Sequence, residues 1–232
     1  MKLDLSRRAA WLRERMDEPD CDPQKLRRTY AQFGVINALV SGWRRIYIRD
    51  LRPGLSPVVP RTLLDIGCGG GDVPFRLAHW ARQDGLKLDI TAIDADERAV
   101  AYASARPAHP QVRFRQALSS DLVREDRHFD FITSNHLLHH LTAEELTILL
   151  QDSEQLCREL VIHNDIERSA LAYAAFRTGT AWVFPGSFIH EDGLLSIRRS
   201  YAQAELAALA PPGWVARRQF PFRNLLTYRP HA

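Results

Sequence analysis

The chain has 232 residues, 45% of them hydrophobic and 25% charged, with a formal net charge of +3. That length suits one domain with additions, and a core of that size needs no disulfides. The composition excludes a disordered or fibrous chain. The small positive balance is dispersed, with no basic run or tail, so no nucleic acid partner is expected.

The three cysteines, Cys21, Cys68 and Cys157, have neither zinc-ligand nor redox-pair spacing, and an odd number argues against a disulfide framework. No bound metal is expected, and a reducing cytoplasm is the expected setting. Met1 to Ala10 is charged from the start and has no apolar signal core. No stretch approaches the roughly 20 apolar residues of a membrane span.

In chain order, Asp22 is a natural N-cap and Pro23 a natural first helical residue. Leu26, Tyr30, Phe33, Leu39, Val40, Trp43 and Tyr47 follow at helical spacing and make one apolar stripe. Ser41-Gly42 is expected to bend or break that helix. Residues 1–52 thus read as an N-terminal helical cover, and a proline-rich joint (Pro53, Pro57, Pro60) leads to the main domain, 61–232.

There Thr62 to Ile66 reads as a strand running into glycines, Asp72 to Gln83 as a helix, Lys87 to Ile93 as a strand and Asp96 to Ala105 as a helix. Gln111 to Arg115 and Phe129 to Ser134 read as further strands. Thr142-x-x-Glu145 is a capping box opening a helix to about Cys157, and Glu159 to His163 is a fifth strand. This alternation predicts an α/β, Rossmann-like, mostly parallel sheet with helices on both faces. Residues 164–199 break the alternation and read as an insertion, with a helix over Ala170 to Phe176 and then an aromatic, glycine-bearing loop. Tyr201 to Ala210 reads as a helix. Trp214 to Phe220 and Phe222 to Tyr228 read as a closing antiparallel strand pair.

The strongest local signal is Leu63-Leu64-Asp65-Ile66-Gly67-Cys68-Gly69-Gly70-Gly71-Asp72, a strand, a glycine turn and a helix start. Glycines let backbone approach a ligand closely, and ligands in such sheets lie at the carboxyl ends of the strands. Asp94 ends the second strand, where a carboxylate accepts hydrogen bonds from ribose hydroxyls. A dinucleotide fingerprint starting at Gly67 would need glycine at 72, but Asp72 stands there and would repel a pyrophosphate. A carboxylate such as Asp65 would instead attract the ammonium of a methionine moiety, which favours S-adenosylmethionine over NAD.

Asp65 to Leu141 resembles the class I S-adenosylmethionine-dependent methyltransferases in three ordered motifs: the glycine loop, Asp94, and Phe129-Asp130-Phe131-Ile132-Thr133-Ser134-Asn135-His136-Leu137-Leu138-His139-His140-Leu141. Ser200 to Leu206 resembles the late helix of the ubiquinone/menaquinone-biosynthesis type. Weaker similarity, including Asp22 to Leu26 and His163-Asn164-Asp165, is to methyltransferases encoded beside type III polyketide synthases.

The resemblance implies S-adenosylmethionine as cofactor, held by Asp65, Gly67, Cys68, Gly69, Gly71, Asp94, Ala95, Leu118, Ser119 and Asn135. It implies a small, phenolic or polyketide-derived acceptor, with O-methylation favoured over C-methylation, in a monomer or homodimer. Many members carry an acidic residue where Leu118 stands. Adenine would then rest on backbone near Leu118 and Ser119, with Leu118 against the ring.

Methyl transfer to a phenol needs its proton removed, and phenols titrate near pH 10, so a histidine base is useful. His139 and then His136, after the fourth strand, are the candidates, with His163 and His190 behind them. The alternative for each is a strand-end residue bonded to its neighbours. Tyr30, Phe33, Trp43, Trp182, Phe184 and Phe188 are expected to pack, and together to close an apolar pocket over the methyl donor. Competing readings are a nucleic acid methyltransferase, which His136-Leu137 after Asn135 disfavours, a non-catalytic cofactor-binding protein, and an NAD-dependent oxidoreductase.

Overall fold

The computed structural model describes residues 4–230, so Met1, Lys2 and Leu3 of the N-terminal reading lie outside the described residues. Seven strands form one sheet in the order β3-β2-β1-β4-β5-β7-β6. They are β1 (Arg61–Ile66), β2 (Leu88–Asp94), β3 (Val112–Gln116), β4 (Phe129–Asn135), β5 (Cys157–Ile166), β6 (Trp214–Gln219) and β7 (Arg223–Tyr228). The first five are parallel, and β7 runs antiparallel between β5 and β6. The strand order reverses between β1 and β4, and their carboxyl ends meet there. That is where an open parallel sheet offers a crevice.

The central strands β1, β4 and β5 are apolar on both sides because both faces are covered. Leu64, Ile66 and Ile132 belong to one buried cluster, while Leu63, Phe131 and Leu160 belong to the cluster on the opposite face. The helices between the strands are α3 (Asp72–Gln83), α4 (Glu97–Ser104), α5 (Ser119–Arg124) and α6 (Ala143–Leu156). The capping box opens α6 as expected, with the Glu145 amide donating to Thr142 Oγ1 at 3.2 Å and the Thr142 amide to Glu145 Oε2 at 2.8 Å.

Before β1, α1 (Pro23–Val40) is capped by Asp22, which accepts from the Gln24 amide. Gly42, at φ +68°, ends that run before the short α2 (Trp43–Ile46). Trp43, Ile46, Tyr47 and Leu51 are buried in the same cluster as Leu63 and Phe131, so the stretch just before residue 52 packs as core of the sheet.

After β5 come α7 (Ala170–Thr180), α8 (Ile189–Arg199) and α9 (Gln203–Leu209). Sequence reading took the α8 region as loop. Gly193 weakens its helical signal, but a Cβ there would meet the Phe176 ring of α7, so glycine is what lets the two helices close up.

Gly71 caps α3 at φ +77°, and a Cβ there would stand 2.7 Å from the Phe114 ring. Gly71→Ala is therefore expected to destabilise the fold by about 1–3 kcal/mol through a left-handed non-glycine residue and a displaced ring. Thermal melts should show a loss of about 2–4 °C per kcal/mol. An unchanged midpoint would contradict this packing.

Candidate active site

The loop after β1 is held from below. The Gly67 and Cys68 amides both donate to the Ile93 carbonyl, at 2.9 and 3.0 Å. The Gly69 amide donates to Asp94 Oδ2 at 2.8 Å and the Asp96 amide to Asp94 Oδ1 at 2.9 Å. Asp94 thus ties the glycine loop to the loop after β2. Gly69 has φ +51° and nothing within 4 Å of where its Cβ would be, because it faces open space.

That space is a cavity of 580 Å³. Asp65, Gly67, Cys68, Gly69, Asp94 and Asn135 line it, together with Asp72. α1 covers it, with the Tyr30 Cβ and carbonyl against Gly70 and the Phe33 ring edge-on to that of Tyr30. Phe176 and Phe184 close the far side.

Of the aromatic residues expected to close the pocket, Tyr30, Phe33 and Phe184 do so. Phe188 packs behind Tyr30 and Leu26, Trp43 lies in the sheet core, and Trp182 is 93% exposed.

Three carboxylates stand around the glycine loop, Asp65 and Asp72 buried and Asp94 half-buried. Asp65 is pushed up to about 8, first by burial, with Asp72 and Asp94 adding to it and the Thr133 hydroxyl, 2.7 Å away, working the other way. Burial likewise raises Asp72, which accepts from Asn37 Nδ2 at 3.0 Å, and Asp94. None of the three is in an ion pair among the described residues. Such a hollow suits a cationic ligand, such as a sulfonium bearing an ammonium group, and repels a pyrophosphate. The residues present therefore fit S-adenosylmethionine.

Four residues expected at the cofactor do not line the cavity: Gly71, Ala95, Leu118 and Ser119. Gly71 serves packing against Phe114. The Leu118 amide donates to Asp121 Oδ2 at 2.8 Å, its side chain is 56% exposed, and the Ser119 hydroxyl is spent on Asp152 at 2.6 Å. The Leu118 amide and the Ser119 hydroxyl therefore already have partners inside the protein.

At the acceptor end, His136 and His139 both line the cavity, but each ring is engaged. Arg223 Nη1 lies 3.0 Å from His136 Nε2. A guanidinium only donates, so this nitrogen accepts and the proton of the neutral ring sits on Nδ1. Burial, aided by Arg223, holds His136 well below its ordinary value.

Asp165 grips His139 twice, accepting from its backbone amide at 2.8 Å and from Nδ1 at 2.7 Å. His139 Nε2 lies 3.3 Å from Glu14 Oε1, an ion-pair distance without hydrogen-bond alignment. Burial opposes charge on this ring, but Asp165 and Glu14 outweigh it and raise His139 to about 9. It is an imidazolium at neutral pH. Both rings expected as the base are thus engaged: His136 accepts at Nε2, and His139, held by Asp165, keeps its proton at neutral pH in the free protein.

His163 is bonded to Ser134 Oγ, stacked on Trp214 and outside the cavity wall, and His190 is bonded to Thr180. Sequence reading missed Glu14, Asp165 and Arg223 as site residues. Only the β5–β7 pairing, which sets Ile166 opposite Arg223, brings the last of these to the strand ends.

Among the described residues, Glu14, His139 and His140 have the donor types and spacing of a metal site. Ser196 Oγ donates to Glu14 Oε1 at 2.9 Å, and Arg199 Nη1 stands 3.6 Å from the same oxygen. A guanidinium and an imidazolium already balance that carboxylate.

Residues 63–160 match the profile of a methyltransferase domain. Over those residues the chain is similar to methyltransferase domains. It is similar to a ubiquinone biosynthesis O-methyltransferase of Glaesserella parasuis serovar 5 (strain SH0165), 30% identical over 154 residues, 62% of this chain and 61% of that protein. A ubiquinone/menaquinone biosynthesis C-methyltransferase of Bradyrhizobium diazoefficiens is 33% identical over 110 residues, 44% of this chain and 43% of that protein. The chain thus spans less than two thirds of the length of these relatives.

Human N-acetylserotonin methyltransferase, solved with S-adenosylmethionine, shares the fold at TM-score 0.64 and 10% identity, over 91% of this chain and 57% of that one. A methyltransferase from Aquifex aeolicus does so at 0.57 and 15%, over 90% and 98%. No helix among the described residues is long and apolar enough to cross a membrane.

The ion pair at His139 makes stability depend on pH. A group raised to about 9 in the folded protein, from about 6.5 unfolded, stabilises fully below pH about 6.5 and loses that contribution as pH rises through about 9. Thermal melts should fall across that window in the parent protein, and the fall should flatten in His139→Gln. An equal slope in both would place the titration elsewhere.

Proposed function

We propose that the protein transfers the methyl group of S-adenosylmethionine to a small molecule bearing an acidic hydroxyl, phenolic or polyketide-derived, with oxygen as the site of methylation. The observation that carries this reading is a carboxylate-lined glycine loop that shares one cavity with the Arg223 guanidinium, which has no carboxylate in ion-pair contact among the described residues. Asp65 and Asp72, buried, and Asp94, half-buried, surround the glycine loop, while the Arg223 guanidinium and the His139 ring, paired with Asp165 and Glu14, stand at the strand ends beyond Asn135.

Bound there, the donor supplies an electrophilic methyl on a cationic sulfur. The glycine loop and Asp94 position it, and Asp65 offsets its ammonium charge. Tyr30, Phe33 and Phe184 exclude water, so the acceptor oxygen is held in line without competition from solvent.

With no free histidine lone pair, the acceptor has to reach the site already ionised or lose its proton to solvent under the field of the two cations. That requirement selects phenols and enols over aliphatic alcohols. Charge concentrated on oxygen near fixed cations favours O-methylation. The similar proteins include one named as an O-methyltransferase and one named as a C-methyltransferase, so product analysis decides the point.

The test is methyl transfer to a panel of phenols of graded acidity, read by mass spectrometry and NMR of the products. The rate at fixed pH should rise as acceptor pKa falls and level off once the acceptor is ionised. Asp94→Ala removes the link between the two loops as well as a ribose acceptor. It should weaken cofactor binding by about ten- to a hundredfold, the equivalent of about 1.5–3 kcal/mol. Tight cofactor binding without transfer to any acceptor would favour a non-catalytic binding protein. Rates indifferent to acceptor acidity would restore a protein base.

A further inference from the structure

Arg223 opens β7 and is 1% exposed, the largest of the fully buried side chains. It lines the cavity. Its Nε donates to Asn164 Oδ1 at 2.9 Å, its Nη1 to His136 Nε2 at 3.0 Å, and its Nη2 to Asn135 Oδ1 at 3.1 Å and the Asn164 carbonyl at 3.2 Å. Four of its five N–H groups are thus used, and every acceptor is neutral. The fifth, on Nη1, has no partner among the described residues.

No carboxylate pairs with this guanidinium among the described residues. Asp165, next to Asn164 in β5, is turned onto the His139 amide and ring and the Ile166 amide. The field of Asp165 reaches Arg223 and favours its charge, but a buried cation without a carboxylate in direct contact is still unfavourable. It becomes favourable when an anion arrives in the same low-dielectric space.

The neighbours fix the guanidinium for that purpose. Asn164 and Asn135 hold the plane of the fork. His136, whose accepting nitrogen faces Arg223, is kept from becoming a second competing charge. Asn135, His136 and Arg223 all front the cavity beyond the glycine loop, where an acceptor, and not the donor, would lie.

We propose that Arg223 binds an oxyanion of the methyl acceptor through its free Nη1 hydrogen. The proposal rests on the methyl-transfer reading above and deepens it, since it makes the cavity select its acceptor in the anionic form. That oxyanion is either the ionised hydroxyl that receives the methyl group or a carboxylate elsewhere on the same molecule. In the first case the guanidinium also lowers the pKa of the bound hydroxyl, which supplies the ionisation that no histidine provides.

The test is titration calorimetry on protein saturated with S-adenosylhomocysteine, so that no transfer occurs. The probes are pentafluorophenol, ionised at neutral pH, its methyl ether pentafluoroanisole, which cannot ionise, and benzoate. The parent protein is expected to bind at least one of the two anions about tenfold or more tighter than the ether, the scale of one charge-assisted hydrogen bond. A preference for the phenolate assigns Arg223 to the reacting oxygen, and a preference for benzoate assigns it to a carboxylate anchor. Both outcomes support the proposal.

Arg223→Met should erase the preference and leave ether and S-adenosylhomocysteine affinities unchanged. Arg223→Lys should keep part of it, and it serves, with the parent ratio, if the methionine variant does not fold. Ether bound as tightly as both anions by the parent protein, or a preference that survives Arg223→Met, overturns the proposal. Failure of the parent protein to bind S-adenosylhomocysteine would instead sink the methyl-transfer reading, so the two failures are distinguishable.

Discussion

Burying Asp65 beneath the glycine loop sets the terms for the rest of the site. Its carboxyl is 1% exposed and has the Thr133 hydroxyl as its side-chain partner, so ionising it in the empty cavity is unfavourable. The sheet makes this placement unavoidable. Asp65 pairs in register with Ala92 and Thr133 on the neighbouring parallel strands, and the chain turns into the cavity two residues later. A cationic ligand relieves the penalty, and an anionic one worsens it. Asp72, buried, and Asp94, half-buried, push in the same direction.

The acceptor end follows the opposite rule. Asp165 is spent on holding His139, and Glu14 reaches the same ring from the N-terminal segment. The N-terminal segment is in turn anchored by Asp192, which accepts from the Arg15 and Met16 amides at 2.8 and 3.0 Å. The segment before α1 therefore belongs to the wall of the site. Its attachment keeps an imidazolium and a guanidinium facing a cavity whose other end is acidic.

Much of the fold was legible because local chemistry and tertiary packing agree. α3 begins and ends where the apolar spacing placed it, Thr142 and Glu145 cap α6, and Trp214 to Tyr228 closes the sheet as an antiparallel pair. α8 was not legible, because Gly193 speaks against helix locally and only Phe176 of a neighbouring helix explains it. The glycine loop and Asp94 could be read from strand–turn–helix order alone. Leu118 and Ser119 could not, since their polar groups are consumed by Asp121 and Asp152. The histidines were found, but their protonation was invisible in sequence. It depends on Asp165, Glu14 and Arg223, which lie 26 to 125 positions away from the rings they control.

The most direct measurement of the charge logic is the pH dependence of S-adenosylmethionine binding in the parent protein and in Asp65→Asn. With Asp65 at about 8 in the free protein, the bound ammonium must drive a proton off this carboxyl. Affinity should then climb by up to about tenfold per pH unit between about pH 6 and 7.5, below the range where the cofactor's own amino group titrates. In Asp65→Asn the climb should vanish and binding at pH 7.5 should be weaker. Equal affinity and an equal pH profile in the two proteins would contradict the account.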